Sequence, residues 1–231
     1  MKRIQSYYED FSHRYDTQRN NPYFRFIEEL ELNILSQYVR PIKGRLLELG
    51  CGTGIFLKHM QSPGLSLHGL DYTWGMLKQT KHKLDGSNVA LVQGDGQALP
   101  YADSSFDIVY SFKVLAHMSH VDWALNEIRR VLCSKGTAIL EFYNCYSIRY
   151  LLHRDTYFHQ WQSTNRVRQQ VEKAGFSIIN TYGVRIVTPF AYALEIPVIS
   201  DVLRYLEKHL SPTALNRFAG YYVVVCRSSS G

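Results

Sequence analysis

Residues 45–54 read RLLELGCGTG, and this stretch decides the fold. Its apolar first half predicts a buried strand over Arg45–Leu49, and its three alternate glycines predict a tight turn directly after that strand. Glycine suits such a turn because it adopts positive φ angles and lets a ligand approach the backbone closely. A helix is expected over Gly54–Met60, so its free N-terminal amides would face whatever the turn holds.

Apolar runs of strand length alternate with helical patterns through the rest of the chain. The further predicted strands are Leu65–Asp71, Val89–Gln93, Phe106–Ser111, Thr137–Tyr143, Phe176–Tyr182 and Tyr221–Cys226. The further predicted helices are Thr73–Leu84, one opened by a capping box at Ser119–Asp122, and Trp161–Ala174. Such alternation is typical of parallel βαβ units. The sequence therefore predicts an α/β fold with a doubly wound, Rossmann-like, seven-stranded sheet.

Two predicted helices precede this core, and two segments interrupt it. The first helix ends near Tyr15, and the second begins at Asn21-Pro22 and ends before Pro41. Residues 144–160 and 183–220 do not follow the alternation, and we expect them to pack over one end of the sheet. The predicted division is an N-terminal helical cap at 1–40, a core at 41–182, a lid insertion at 183–220 and a closing strand at 221–227.

Length and composition favour one cytoplasmic α/β protein. The 231 residues carry a formal charge of +6, but the basic residues are dispersed, which does not favour a nucleic-acid partner. The four cysteines form no C-x-x-C pair, so neither a zinc site nor a disulfide framework is expected, and we predict no metal. No signal peptide is recognisable, and the longest uncharged stretch of the C-terminal region, residues 186–194, is too short for membrane insertion.

Three carboxylates follow or end neighbouring predicted strands. Glu48, Asp71 and Asp95 should meet at the carboxyl edge of the sheet, where such folds bind ligands. A carboxylate at the end of the second strand typically accepts hydrogen bonds from ribose hydroxyls. The structural alternative for Asp71 is a helix N-cap.

The spacing of the glycines argues against a dinucleotide. Ile55 stands where the third glycine of G-x-G-x-x-G would lie. Glu48 would be unfavourable beside a pyrophosphate but could pair with an amino group. A ligand with a nucleoside at one end and an amino acid at the other fits better, and S-adenosyl-L-methionine (SAM) is such a ligand.

The ordered series of motifs resembles the class I SAM-dependent methyltransferases. It is most similar to their small-molecule branch, which includes ubiquinone and menaquinone methyltransferases. The motifs that carry the resemblance are residues 46–54, 69–71 with 76–77, 93–100 leading into 105–109, and 127–132.

The resemblance implies how the methionine half of the cofactor is held. Glu48 would recognise the ammonium group of SAM. Gly50 and Gly52, in the turn that Gly54 completes, would line the methionine portion.

The nucleoside half is assigned by the same resemblance. Asp71 would hold the ribose, and Tyr72 would pack on the adenine. Asp95 would bind the adenine amino group, with the Gly96 amide beside the ring. Phe112 would close the site at the end of the fourth strand.

Methyl transfer requires chiefly the positioning of an acceptor in line with the S–CH₃ bond. An oxygen or nitrogen acceptor can also need a general base. His117, just after the fourth strand, is the catalytic candidate by position, followed by His13 and His159. The sequence does not distinguish oxygen, nitrogen and carbon acceptors.

Aromatic residues of the cap and the insertions predict the acceptor pocket. The predicted substrate-binding residues are Tyr7, Tyr8, Tyr15, Tyr157 and Phe190. Packing against the core is the structural alternative for the N-terminal aromatics. An aromatic, mostly uncharged lid favours a small apolar or aromatic acceptor over a polymer.

Two other functions remain open at this point. One is a SAM-binding protein without transferase activity, such as a regulatory subunit. The other is a nucleic-acid methyltransferase, but residues 110–115 read YSFKVL and lack the (Asp/Asn/Ser)-Pro-Pro-(Tyr/Phe) element of the amino-methylating enzymes. The oligomeric state is also open, with a homodimer as one expectation.

Overall fold

The structure, a computed structural model, describes residues 2–39, 43–152, 159–187 and 197–228. The strands of this part of the chain are β1 (Gly44–Leu49), β2 (Leu65–Asp71), β3 (Val89–Gln93), β4 (Phe106–Ser111), β5 (Leu132–Asn144), β6 (Trp161–Gln162), β7 (Phe176–Val184) and β8 (Tyr221–Ser228). The helices are α1 (Lys2–Arg19), α2 (Pro22–Val39), α3 (Ile55–Met60), α4 (Trp74–Lys83), α5 (Val121–Val131), α6 (Ile148–Leu152), α7 (Thr164–Lys173) and α8 (Pro197–Leu210). Two 3₁₀-helices span Leu115–His117 and Ala214–Phe218.

The sheet confirms the predicted doubly wound α/β class. Seven strands follow the order β3-β2-β1-β4-β5-β8-β7, and the short β6 pairs with β5 as an eighth strand. Strands β1 to β5 pair in parallel, while β8 runs antiparallel to both β5 and β7. Strand β7 is therefore parallel to the others, and the ends of β1 to β5 and β7 meet the start of β8 at one edge of the sheet.

Alternating side chains of the buried strands build a hydrophobic core on each face of the sheet. Leu46 and Ile139 point into the core covered by α2, α3 and α4. Leu47 and Leu140, their neighbours in sequence, point into the core covered by α5 and α7. A central strand buried on both faces needs such continuous apolar runs, which is why the strands were recognisable in the sequence.

Local polar contacts decide several helix ends. Asn21 caps α2 as predicted, since its Oδ1 accepts from the Phe24 amide at 3.0 Å. The predicted capping box at Ser119 is wrong, because the Ser119 hydroxyl donates to Gln97 Oε1 at 3.1 Å and His120 occupies the N-cap position without a side-chain bond. The N-terminal helix continues past Tyr15 to Arg19.

The predicted helix Trp161–Ala174 begins too early. Trp161 and Gln162 form β6, which pairs with Tyr143 and Asn144 of β5. Ser163 then caps α7 by accepting from the Arg166 amide at 3.2 Å. Trp161 and Gln162 therefore pair with β5 as a strand, although their sequence fits a helical pattern.

Strand β5 begins five residues before the predicted Thr137. Leu132 pairs with Phe106 of β4, and an irregularity in the register separates this pair from the regular ladder. Because the bulge interrupts the alternation of apolar side chains, the sequence pattern did not reveal the first part of the strand.

A buried ion pair fixes α2 to the sheet. Lys113 follows β4 with a φ of 61°. Its ammonium group binds the carboxylate of Glu31, which is fully buried in α2. The Lys113 amide donates to Glu141 Oε1 of β5 at 3.1 Å. Burial and the neighbouring Glu31 raise the pKa of Glu141 well above its usual range, and the positive charge of Lys113 partly offsets this effect.

Within the described residues, no helix combines the length and the apolar character needed to cross a membrane.

Replacing the buried cation should destabilise the fold in a pH-dependent way. In Lys113→Met, two buried carboxyl groups lose their cation, which typically costs roughly 3–5 kcal/mol. A carboxyl group with a raised folded-state pKa stabilises the fold when protonated and loses that contribution as pH rises through that pKa. Urea unfolding should therefore show a larger loss at pH 8 than at pH 5. Lys58→Met, at an exposed position of α3, is the control and should change little; equal losses in both variants would contradict the argument.

Candidate functional site

The glycine turn after β1 has the conformation that its sequence requires. Gly50 and Gly52 have φ angles of 75° and 52°, in the left-handed region that favours glycine. A Cβ at Gly50 would lie 2.2 Å from Val114 Cγ2, so packing also excludes a side chain there. A Cβ at Gly52 would meet nothing within 4 Å, because this glycine faces the pocket. Gly50 is thus fixed by the protein interior, and Gly52 leaves room for a ligand.

Asp71 ties the turn to the next helix. Its Oδ2 accepts from the Gly52 amide at 2.8 Å, and its Oδ1 accepts from the Thr73 amide at 2.9 Å, just before α4. Burial raises the pKa of Asp71, and the two amides partly offset this effect. Asp71 is not the N-cap of α4, because Thr73 occupies that position; its carboxylate instead orients the chain just before the helix and lines the pocket.

Glu48 is buried at the end of β1 beneath the turn. Tyr110 of β4 donates its hydroxyl to Glu48 Oε2 at 2.8 Å. Burial raises the pKa of Glu48 to about 8, in spite of this hydrogen bond. The carboxyl group is therefore mainly protonated at neutral pH and could ionise when a cation approaches.

Asp95 and Gly96 follow β3 at the same edge. Asp95 Oδ1 accepts from the Gln97 amide at 2.9 Å, which orients the carboxylate beside the pocket. A Cβ at Gly96 would lie 2.5 Å from Met118 Cε, so the chain passes there with no room for a side chain. Packing against Met118 and Leu49 therefore favours glycine in the bend after β3.

One cleft with an empty volume of about 1050 Å³, partly open to solvent, brings most of the predicted residues together. Those that line it are Glu48, Gly50, Gly52, Asp71, Tyr72, Asp95, Gly96, Phe112, His117, Tyr8 and Tyr15. Gly54 is not part of the lining, because it packs on Thr80. Tyr7 is not part of it either; its ring is 53% exposed and packs on Phe11. Tyr157 and Phe190 lie outside the described residues.

Helix α1 covers the cleft and is attached to the glycine turn. Ile4, Tyr8 and Arg19 contribute to the lining from α1. The Thr53 hydroxyl donates to Asp16 Oδ1 at 2.5 Å. Lys83 Nζ of α4 lies 2.6 Å from Asp16 Oδ2. Sequence reasoning missed this attachment, since it joins three polar residues that are distant in the chain and belong to no motif.

His117 lies where α1 meets the far end of the cleft. The Tyr8 hydroxyl is 3.3 Å from His117 Nε2, within hydrogen-bond distance. The ring centroids of His159 and Tyr143 lie 4.8 and 6.2 Å from that of His117. His13 is exposed on α1 and does not line the cleft. Of the three candidate histidines, His117 and His159 therefore lie side by side, and His13 lies elsewhere.

Tyr143 is the residue of this region that sequence reasoning missed. It pairs with Tyr221 across β5 and β8, and its ring lies 5.1 Å from His159 and 5.3 Å from Trp161. Its position at the carboxyl end of β5, the edge where such folds bind ligands, could have identified it. Among the described residues, no group of three or more His, Cys, Asp or Glu side chains could hold a metal ion.

Comparison with known proteins connects this geometry to a family. The sequence profile of the family described as "Methyltransferase domain" matches residues 47–140. The demethylmenaquinone methyltransferase of Lactobacillus johnsonii is 41% identical over 103 residues, which make up 41% of this chain and 42% of that enzyme. An uncharacterized protein of Methanocaldococcus jannaschii is 27% identical over 97% of this chain and 98% of its own length.

A solved structure extends the likeness to the whole fold. The Thermotoga maritima protein described as a SAM-dependent methyltransferase, possible histamine N-methyltransferase, superposes with a TM-score of 0.71 at 18% identity. The match covers 96% of this chain and 98% of that one. The chain spans about half or less of the length of most curated relatives it matches. Residues 47–140 thus match a methyltransferase domain, and the fold around them is similar to that of a solved SAM-dependent methyltransferase.

Proposed function

We propose that the protein transfers a methyl group from SAM to a small molecule bound beside His117 and Tyr143. One observation carries the proposal: the cleft that gathers Glu48, Asp71 and Asp95 at the sheet edge also reaches His117. The cofactor residues and the candidate base thus share one cleft. Helix α1 lies over that cleft, which supports a small acceptor rather than a polymer.

The residues of the cleft fit SAM. The space in front of Gly52 is open, and the turn leads directly into α3, so a ligand can approach the backbone there. We assign the ammonium group of SAM to Glu48 and its ribose hydroxyls to Asp71. Asp95 and Gly96 would hold the adenine, with Tyr72 and Phe112 packed beside the cofactor.

Glu48 would recognise the ammonium group through a change of its own charge. Its carboxyl group is held neutral by burial in the free protein, where a negative charge would be costly. An ammonium group in contact with it stabilises the carboxylate, so the proton is released on binding. The Tyr110 hydroxyl remains on the carboxylate and orients it.

Catalysis by this chain would consist of positioning and proton removal. When bound, SAM supplies an electrophilic methyl group whose bonding electrons return to sulfur. His117 would accept the proton that an oxygen or nitrogen acceptor loses as its lone pair bonds to the methyl carbon. The Tyr8 hydroxyl, at 3.3 Å, would hold the imidazole ring in place.

A SAM-consumption assay tests the proposed activity. The purified protein is incubated with SAM and a panel of small phenols, amines, carboxylates and quinols, and S-adenosylhomocysteine (SAH) is quantified. Acceptor-dependent SAH formation is expected with at least one class. Tight SAM binding without SAH formation across the panel would instead support a non-catalytic SAM-binding protein, and turnover only with RNA or DNA would support a nucleic-acid methyltransferase.

His117→Ala should lower kcat by about 10²- to 10⁴-fold with an oxygen or nitrogen acceptor, because the acceptor loses its general base. Calorimetry should show nearly unchanged SAH affinity. His13→Ala removes an exposed histidine of α1 and should leave kcat unchanged. A wild-type rate for His117→Ala would leave positioning alone as the source of catalysis.

Filling the space in front of Gly52 should abolish cofactor binding. Asparagine tolerates positive φ better than other side chains, so Gly52→Asn should fold while its side chain occupies the cleft. Gly86→Asn is a matched control, since Gly86 also has a positive φ of 76° and a Cβ added there would meet no atom within 4 Å. Calorimetry with SAH should show loss of binding only in Gly52→Asn; comparable binding in both variants would show that the turn does not hold the cofactor.

Cofactor binding should release a proton from a large part of the molecules at pH 7. Burial raises the pKa of Glu48 to about 8 in the free protein, so its carboxyl group is mainly protonated at that pH. Calorimetry of SAH binding in buffers of different ionisation enthalpy measures the released protons. Tyr110→Phe, which removes the hydrogen bond to the carboxylate, should preserve the release and weaken binding. Binding without proton release would mean that Glu48 does not ionise against the ammonium group.

A further inference from the structure

Two arginines meet behind Tyr143, at the same edge of the sheet as the cofactor cleft. Arg149 belongs to α6, and Arg185 directly follows β7 with a φ of 69°. The Cδ atoms of both lie 3.5 Å from the position that a Cβ at Gly220 would take. The absence of a side chain at Gly220 thus allows the two arginine stems to come together.

Aromatic rings surround both guanidinium groups. The guanidinium carbons of Arg149 and Arg185 lie 5.0 and 5.4 Å from the ring centroid of Tyr221. Arg149 also lies 4.7 Å from the Tyr143 ring and 4.9 Å from the Trp161 ring. Arg185 lies 4.8 Å from the ring of Tyr23. Contact with ring faces favours a cation but leaves its N–H donors without acceptors.

The hydrogen-bond donors of this cluster have unused capacity. Arg149 Nη1, Arg185 Nε, Trp161 Nε1 and the Tyr23 hydroxyl are buried and have no hydrogen-bond partner in the part of the chain that the structure describes. Arg185 Nη1 reaches only the Tyr221 hydroxyl, at 3.4 Å. Buried polar groups are nearly always hydrogen-bonded, and leaving one unpaired destabilises a protein.

No described carboxylate forms an ion pair with either arginine. The nearby buried carboxyl groups are engaged elsewhere. Glu31 binds Lys113, and Glu141 accepts from the Lys113 amide. Glu207 accepts from the amides of residues 186 and 187 at 2.6 and 3.0 Å.

The local electrostatic potential is positive as a result. Burial raises the pKa of the Tyr221 hydroxyl, but Arg149, Arg185 and Lys113 outweigh burial and hold it below its usual value. A negative group is therefore favoured beside the two arginines.

We propose that Arg149 and Arg185, together with Tyr23 and Trp161, bind an oxyanion of the methyl acceptor, either a carboxylate or a phosphate group. The inference rests on the proposed function, because it places the acceptor between the cofactor and this cluster. The ring of Tyr143 contacts Arg149, at 4.7 Å from its guanidinium carbon, and its centroid lies 6.2 Å from that of His117 and 5.1 Å from that of His159. The acceptor would thus be a small anion whose apolar body lies along Tyr143, which modifies the expectation of an uncharged acceptor pocket.

Three related probes test the subsite on the full chain saturated with SAH. Benzoate and phenyl phosphate carry the two candidate anions on the same ring, and benzamide is a neutral analogue of benzoate. Calorimetry should show that at least one anion binds about tenfold or more tightly than benzamide, as expected for charge-assisted hydrogen bonds. The tighter of the two anions identifies the class of acceptor.

Variants assign the difference to the two arginines. Arg149→Met and Arg185→Met should each weaken binding of the preferred anion about tenfold or more and leave SAH affinity unchanged. Arg149→Lys and Arg185→Lys keep the positive charge in case the methionine variants do not fold, and should weaken binding less. Arg166→Met, at an exposed position of α7, is the control.

The outcomes separate this inference from the proposed function. If neither anion binds better than benzamide, or if none of the four variants changes anion affinity, the oxyanion subsite is wrong even when SAH binds normally. If SAH does not bind, the same titrations are made without it; an anion affinity that still depends on both arginines then supports the subsite, while the proposed methyl transfer fails.

Discussion

The two hydrogen bonds that Asp71 accepts connect the elements that form the cleft at the sheet edge. One holds the Gly52 amide of the turn after β1, and the other holds the Thr73 amide before α4. The turn, the end of β2 and the start of α4 therefore form one rigid unit. The same carboxylate faces the cleft, so the group that organises the backbone is also available to a ligand. Because both oxygens are already fixed by amides, a ribose hydroxyl would meet a carboxylate that needs no reorientation.

Burial of acidic groups at the carboxyl edge of the sheet lowers the stability of the fold. Glu48, Asp71 and Glu141 are buried, and burial raises the pKa of each. A core made only for stability would contain apolar residues at these positions. Their clustering at the carboxyl edge of a parallel sheet is instead what a binding site for a cationic, polar cofactor requires. Buried positive charges lie nearby: Lys113 pairs with Glu31 and stabilises the fold, and Arg149 and Arg185 lie against the ring of Tyr221.

The elements whose signals are local could be predicted from the sequence. The bounds of β2, β3 and β4 agree with the prediction because each is a short apolar run between turn residues. Asp71, Asp95 and Phe112 were predictable as residues of the cleft because each lies at the end of one of those strands or soon after it. The strand at Trp161–Gln162, the attachment of α1 through Asp16, and the meeting of Arg149 with Arg185 were not predicted. Each depends on contacts between residues far apart in the chain, for which a single sequence contains no periodic signal.

The attachment of α1 has a consequence for kinetics. A ligand beneath α1 is covered by that helix as long as the contacts of Asp16 with Thr53 and Lys83 persist. Its residence time therefore reflects the opening of a helix as well as its own contacts with the cleft. In the proposed reaction, methyl transfer would convert the cofactor into a product of nearly the same shape, which would leave the same cleft before the next cycle. A firmer attachment of α1 would therefore lengthen the residence time of the bound ligand and slow turnover. A variant that binds its product most tightly would then not be the fastest catalyst.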